Sequence, residues 1–324
     1  MSLLAARIWL ACLCEAAVEK PGNVTPTRSF ADLRFEDFAA AAAVSAPHLA
    51  AATPASLGES ICDAVQATRE ATGTNVNLGM ILLLAPLAAA AGEDGLLSVE
   101  AVEAVLAATT SADAEAAYAA IRIAAPGGLG QASRGDVRNR PTGSLTAMMR
   151  LAADRDQIAR QYDLDRPFAA VRRLADEVAD RTSAVSLPEA IAFAAVGSMA
   201  RDGDTHVARR CGAAADRELR RRAAAALADQ DLESFDLWLR SDGHRYNPGS
   251  TADLIAASLL WMQCDRSIEP ARRHGITEAM LLHVQSTGVA IPTDHRVALR
   301  HFAESASTAS PSPAEPSLRR VGER

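Results

Sequence analysis

Residues 73–84 read Gly-Thr-Asn-Val-Asn-Leu-Gly-Met-Ile-Leu-Leu-Leu, and the apolar run continues to Ala91. A Gly/Asn/Thr loop that runs into an apolar stretch with no polar alternation is how a buried helix starts. The run is shorter than the ~20 residues a membrane span needs, and Pro86 interrupts it, so it predicts a core helix. Residues 247–254, Asn-Pro-Gly-Ser-Thr-Ala-Asp-Leu, repeat the same grammar. Such junctions leave backbone N–H groups unpaired and turn a positive dipole end toward a loop, which is how a helical protein binds phosphate. Asn, Ser and Thr are also ordinary helix caps. Two such junctions in one chain nevertheless point to a helical, phosphate-handling protein.

The rest of the chain agrees with a helical fold. Helical periodicity recurs at about 3–19, 35–51, 58–72, 77–91, 98–108, 112–124, 144–162, 167–182, 187–200, 211–228, 231–241, 249–264 and 270–286. Aromatics are only 4% of a 49% hydrophobic chain, and β-branched alternation is nearly absent. The expectation is an all-α, bundle-like single domain of about a dozen helices over residues 1–302, with no solenoid repeat. Composition then turns to Ser, Pro, Glu and Arg, which predicts a disordered tail over 303–324. The interval 126–143 is a long polar Gly/Arg/Pro loop, of the kind that carries function in compact domains.

A net charge of −7, with no basic block beyond the helix-face run Arg209 to Arg222, excludes a nucleic-acid partner. No segment predicts a membrane partner. Cys12, Cys14, Cys62, Cys211 and Cys264 show no zinc spacing and read as small hydrophobes in a reducing cytoplasm. Met1 to Cys14 superficially resembles an export signal, but its helical pattern continues through Glu15 and Glu19.

Glu15 with Glu19, and Glu59 with Asp63, are carboxylate pairs four residues apart. Positions i and i+4 share a helix face, so each pair suits either solvent or a divalent cation such as magnesium. Loop 20–28 offers Lys20, Asn23, Thr25 and Arg28, and loop 126–136 offers Arg134 and Asp136. Segment 201–212 gathers Asp202, Asp204, His206, Arg209 and Arg210. No Walker loop, Rossmann fingerprint or Ser/His/Asp arrangement is present.

Five motifs, in order, resemble the triphosphoribosyl-dephospho-coenzyme A synthase family. Lys20-Pro21-Gly22-Asn23-Val24 is similar to its Lys-Pro-Gly-Leu-Val, and Gly73 to Gly79 to its Gly-x-Asn-Thr-His-Lys-Gly. Arg134-Gly135-Asp136 resembles Arg-Gly-Glu, and Asp204 to Gly212 resembles Asp-Thr-Asn-Leu-Leu-His-Arg-Gly-Gly. Pro248 to Leu254 resembles Pro-Gly-Gly-Ser-Ala-Asp-Leu. The resemblance implies an all-α enzyme that joins the ribose C1 of ATP, with α stereochemistry, to a hydroxyl of dephospho-coenzyme A and releases adenine. Asp204 and Asp253, at motif positions, are the expected catalytic carboxylates, with Glu59 of the helical pairs beside them. Substrate phosphates would then be held by Lys20, Asn23, Asn75, Asn77, Arg134 and Arg210, with Gly249, Ser250 and Thr251 at the helix start. Read from the carboxylate spacing, magnesium would be held by Glu15, Glu19 and Asp63 of the helical pairs, with Asp136 of the 126–136 loop.

Asn77 and Leu78 depart from the family's His-Lys, and leucine cannot contact phosphate as lysine does. His206, Arg209 and Cys211 also differ from the family's Asn, His and Gly. The departures resemble a branch found with tetrahydromethanopterin metabolism. There the expected donor is phosphoribosyl pyrophosphate, the acceptor is a pterin-linked ribitol, and turnover with ATP is weak. A helical nucleotide-binding protein without catalysis is the third reading. The expected structure has no central sheet and brings Asn75 and Asp253 to one site.

Overall fold

The computed structural model describes residues 1–299, so the expected tail and the last residues of the expected domain lie outside the described residues. The chain forms α1 (Leu3–Ala17), α2 (Phe35–Ala50), α3 (Leu57–Thr72), α4 (Leu78–Ala90), α5 (Val99–Ala108), α6 (Ser111–Ala124) and α7 (Leu145–Arg150). A 3-10 turn over Ala159–Tyr162 leads to α8 (Ala169–Arg181), α9 (Leu187–Asp202), α10 (Thr205–Cys211) and α11 (Ala213–Asp229). The last three are α12 (Leu232–Leu239), α13 (Gly249–Cys264) and α14 (Pro270–Ser286). Extended pairing among the described residues is confined to two isolated bridges, Phe30 with Leu33 and Leu97 with Asp265. The fold is all-α, as the periodicity predicts.

Helices that are apolar all round lie at the centre, and amphipathic ones surround them. In α1 every residue from Ala5 to Ala17 is buried, and α13 is buried along almost its whole length. These two pack on each other and on α4. α8 shows the outer pattern, burying Val171, Leu174, Ala175, Val178 and Ala179 against α13. A smaller apolar cluster, including Val196, Val207, Leu219 and Phe235, joins α9 to α12 beside the main core.

Two features of the chain path have local causes, the second a difference from the sequence reading. α4 runs straight through Pro86. Proline removes the N–H that would bond the carbonyl four residues back, and the Tyr162 hydroxyl donates to that carbonyl, Leu82 O, at 2.6 Å. The single helix expected over 144–162 breaks after Arg150, because Asp156 Oδ1 accepts from the N–H groups of Ile158 (2.8 Å) and Ala159 (3.2 Å) and starts a new turn.

Candidate active site

The ends of α1, α4, α10 and α13 meet the 125–136 loop around one cavity of about 920 Å³, near the upper end of ordinary ligand pockets. Its lining is mixed. Val76, Leu78, Tyr118, Met148 and Met149 are among its apolar members, and Glu15, Asn75, His206, Arg209, Arg210 and Asp253 among its polar ones. Asn75 and Asp253 therefore share one site, as expected. Asn75 Oδ1 accepts from Leu78 N at 3.2 Å and so satisfies one first-turn N–H of α4.

Asp253 stands one turn into α13 and lies against Gly79, in the first turn of α4. A Cβ on Gly79 would fall 1.9 Å from Asp253 Oδ2, so only glycine leaves room for the carboxylate there. Among the described residues Asp253 has no hydrogen-bond or ion-pair partner. Burial, then repulsion from Glu15, Asp204 and Asp156, lifts its pKa well above the ordinary carboxylate value, with Arg209 opposing. A carboxylate so placed is a strong proton acceptor facing a cavity.

Asp204 does a different job. It is fully buried, and its Oδ1 accepts from the N–H groups of His206 (2.9 Å) and Val207 (3.1 Å). Its Oδ2 accepts from Thr251 N (2.7 Å) and Thr251 Oγ1 (2.8 Å). One carboxylate thus fills the positive ends of both α10 and α13. Burial pushes its pKa up to about 6, against the pull of those hydrogen bonds. The expected catalytic group Asp204 and the expected phosphate ligand Thr251 thus bond to each other, and the start of α13 already holds an internal anion. Gly249 and Ser250 still line the cavity.

Positive charge comes from arginines. Arg209 Nη1 lies 3.6 Å from Asp156 Oδ2, and its Nε donates to Gly127 O at 3.3 Å. Gly128, at φ +77°, lies over Arg209, where a Cβ would sit 3.1 Å from Arg209 Cγ. Arg210 Nη1 donates to His244 O at 3.2 Å. Arg69, at the end of α3, and Arg155, in the turn after α7, also line the cavity. The His206 pKa falls to about 3 through burial, then repulsion from Arg209, Arg210 and His244, so its ring stays neutral at neutral pH.

Several expected site residues lie elsewhere. Glu59 and Asp63 are exposed on α3, whose buried face carries Leu57, Ile61, Ala64 and Val65. α1 ends at Ala17, so Glu19 leaves the helix, is exposed, and accepts from Thr27 Oγ1 at 2.5 Å. Glu15 alone of these four reaches the cavity, ion-paired at 3.1 Å with buried Lys20. Lys20 also donates to the carbonyls of Glu15 and Val18, capping the end of α1, and it does not line the cavity. Asn77 is buried and donates to Ser45 Oγ at 3.3 Å, and Arg134 is exposed outside the cavity lining. Asp136 lines the cavity, but Arg138 and the N–H of Ala132 occupy its oxygens and hold its pKa well below the usual range.

No three His, Cys, Asp or Glu side chains among the described residues are arranged to hold a metal. The expected magnesium set does not fit. Sequence reasoning passed over Arg69, Arg155, Asp156 and His244, which no motif marks. Asn247 had a signal, standing directly before Pro248, and it accepts from Asn23 Nδ2 at 2.9 Å.

The all-α scaffold thus sets several arginines, and one carboxylate without a partner among the described residues, around a single cavity of about 920 Å³. The family model described as ATP:dephospho-CoA triphosphoribosyl transferase matches residues 1–270, and the chain belongs to that family. A crystal structure from Archaeoglobus fulgidus, provisionally described as a triphosphoribosyl-dephospho-coA synthase, aligns over 70% of this chain and 98% of its own. Its TM-score is 0.55 at 22% identity, which shows a shared fold. No curated protein matches the chain. The protein is thus an enzyme of the triphosphoribosyl-dephospho-CoA synthase type. The phosphoribosyl pyrophosphate, pterin and non-catalytic readings gain no support from these comparisons.

Proposed function

We propose that the cavity binds ATP and dephospho-CoA and joins the triphosphoribosyl unit of ATP to an acceptor hydroxyl, with Asp253 as the base. Asp253 carries this reading: it is unpartnered, faces the cavity and has a raised pKa. As the C1–N9 bond of ATP breaks, positive charge grows on the ribose, and Asp253, Glu15 and Asp156 supply negative charge around it. The acceptor oxygen bonds to C1, its proton passes to Asp253, and adenine leaves and takes up a proton. Arg209 and Arg210 meet the triphosphate with charge-assisted hydrogen bonds, and Arg69 and Arg155 supply the cations missing at Leu78. Any magnesium would arrive on the triphosphate.

The test is adenine release from ATP, followed by chromatography with and without dephospho-CoA. Release that requires the acceptor, and that falls about 100-fold or more in Asp253→Asn, is expected. Pyrophosphate release from phosphoribosyl pyrophosphate, with no adenine release from ATP, would move the assignment to the pterin pathway.

A further inference from the structure

A purine anion is a poor leaving group, so the family reaction needs a proton donor opposite the attacking hydroxyl. The geometry points to His244, oriented by Asp32, as the group that protonates the departing base; this rests on ATP being the donor. His244 lies in the segment between α12 and α13, half-buried, and lines the cavity together with Asp32. Its Nδ1 is 2.8 Å from Asp32 Oδ1. Its ring meets Phe30 edge-on, with centroids 6.0 Å apart at 72°, and the Arg240 guanidinium covers Phe30 at 5.0 Å. Its carbonyl accepts from Arg210 Nη1 and from Asn247 N, each at 3.2 Å. Ring and backbone are therefore both held.

With Nδ1–H given to Asp32, Nε2 is the nitrogen left for substrate, the arrangement by which a carboxylate fixes an imidazole tautomer. His206, the other imidazole in the lining, stays neutral between its arginines and cannot supply a proton at neutral pH. Asp253 lies against Gly79 of α4, whereas His244 pairs with Asp32, so acid and base reach the cavity from different elements. In the step, the proton on His244 Nε2 passes to a purine ring nitrogen as C1–N9 breaks, leaving neutral adenine and neutral imidazole. Asp253 meanwhile takes the acceptor's proton. Exposed Asp32 keeps the pair in contact with water, which returns a proton to His244 while Asp253 releases its own.

The experiment compares two donors, each with dephospho-CoA: ATP, and the 5′-triphosphate of 4-nitrophenyl β-riboside, whose phenolate leaves without a proton. His244→Asn should lose about 100-fold or more with ATP and far less with the nitrophenyl donor. Asp32→Asn, at an exposed position that folding tolerates, should show the same pattern at roughly tenfold. Equal losses on both donors, or ATP turnover unchanged in both variants, would overturn the assignment. Absence of adenine release by the wild type overturns the substrate reading and this proposal with it, whereas wild-type release with unselective variants removes only the role of His244.

Discussion

In the proposed reaction Asp253 owes its basicity to what is missing around it: no partner among the described residues, and no Cβ on Gly79. Gly79→Ala would put a methyl group where the carboxylate now lies and turn Asp253 aside. Alanine improves helix propensity by up to about 1 kcal/mol, so the Tm should hold or rise slightly. Transfer activity should fall about 100-fold, as for any misplaced catalytic group. Thermal melts and adenine release on the same preparation check both halves, and full activity would show that Asp253 does not need its present position. A base with a raised pKa also predicts that kcat/KM climbs with pH through that raised value. A profile flat down to about pH 5 would remove Asp253 as the base.

At the scale of elements, α10 and α13 are joined through one buried side chain. Asp204→Ala would strip the carboxylate from backbone N–H groups of both helices and loosen His206, Arg209 and Arg210 from the start of α13. Urea unfolding should show a loss of about 3–5 kcal/mol, since buried donors are left unsatisfied. A loss below about 1 kcal/mol would mean that other contacts hold the two helices together. The crossing of α3 and α6 depends on Gly58, whose N–H donates to Asp113 Oδ1 at 2.8 Å and whose missing Cβ would fall 2.5 Å from Asp113 Cα. Gly58→Ala should cost about 1–3 kcal/mol in the same measurement, because backbone has to move rather than a side-chain tip.

Over the whole molecule, the buried carboxyls make stability depend on pH in an unusual direction. Asp204 rises from 3.8 to about 6, and Glu15 and Asp253 rise as well. A raised folded pKa stabilises fully below the unfolded value and is lost as pH climbs through the folded one. Asp136 and Glu218 are lowered by their arginines and act oppositely, losing their contribution as pH falls. The Tm should therefore peak in mildly acidic solution and be higher near pH 5 than near pH 8, with the slope reduced in Asp204→Asn; a steady rise across that range would contradict it. The helices and the core were legible in the chain alone, because α1, α4 and α13 are largely apolar and Gly, Pro and Asn stand near their ends. The sequence also determined that the motifs of 73–79 and 247–254 belong together, as Gly79 against Asp253 demonstrates. Only the tertiary structure decided which polar residues are free. Lys20, Asp204 and Asp136 have the right chemistry for a site, yet helix ends, backbone N–H groups and Arg138 already occupy them. Glu59 and Asp63 share a face, as spacing dictates, but packing on α6 and α2 turned that face outward. Spacing fixes neighbours along one helix, whereas burial and partners are set by contacts far apart in the chain.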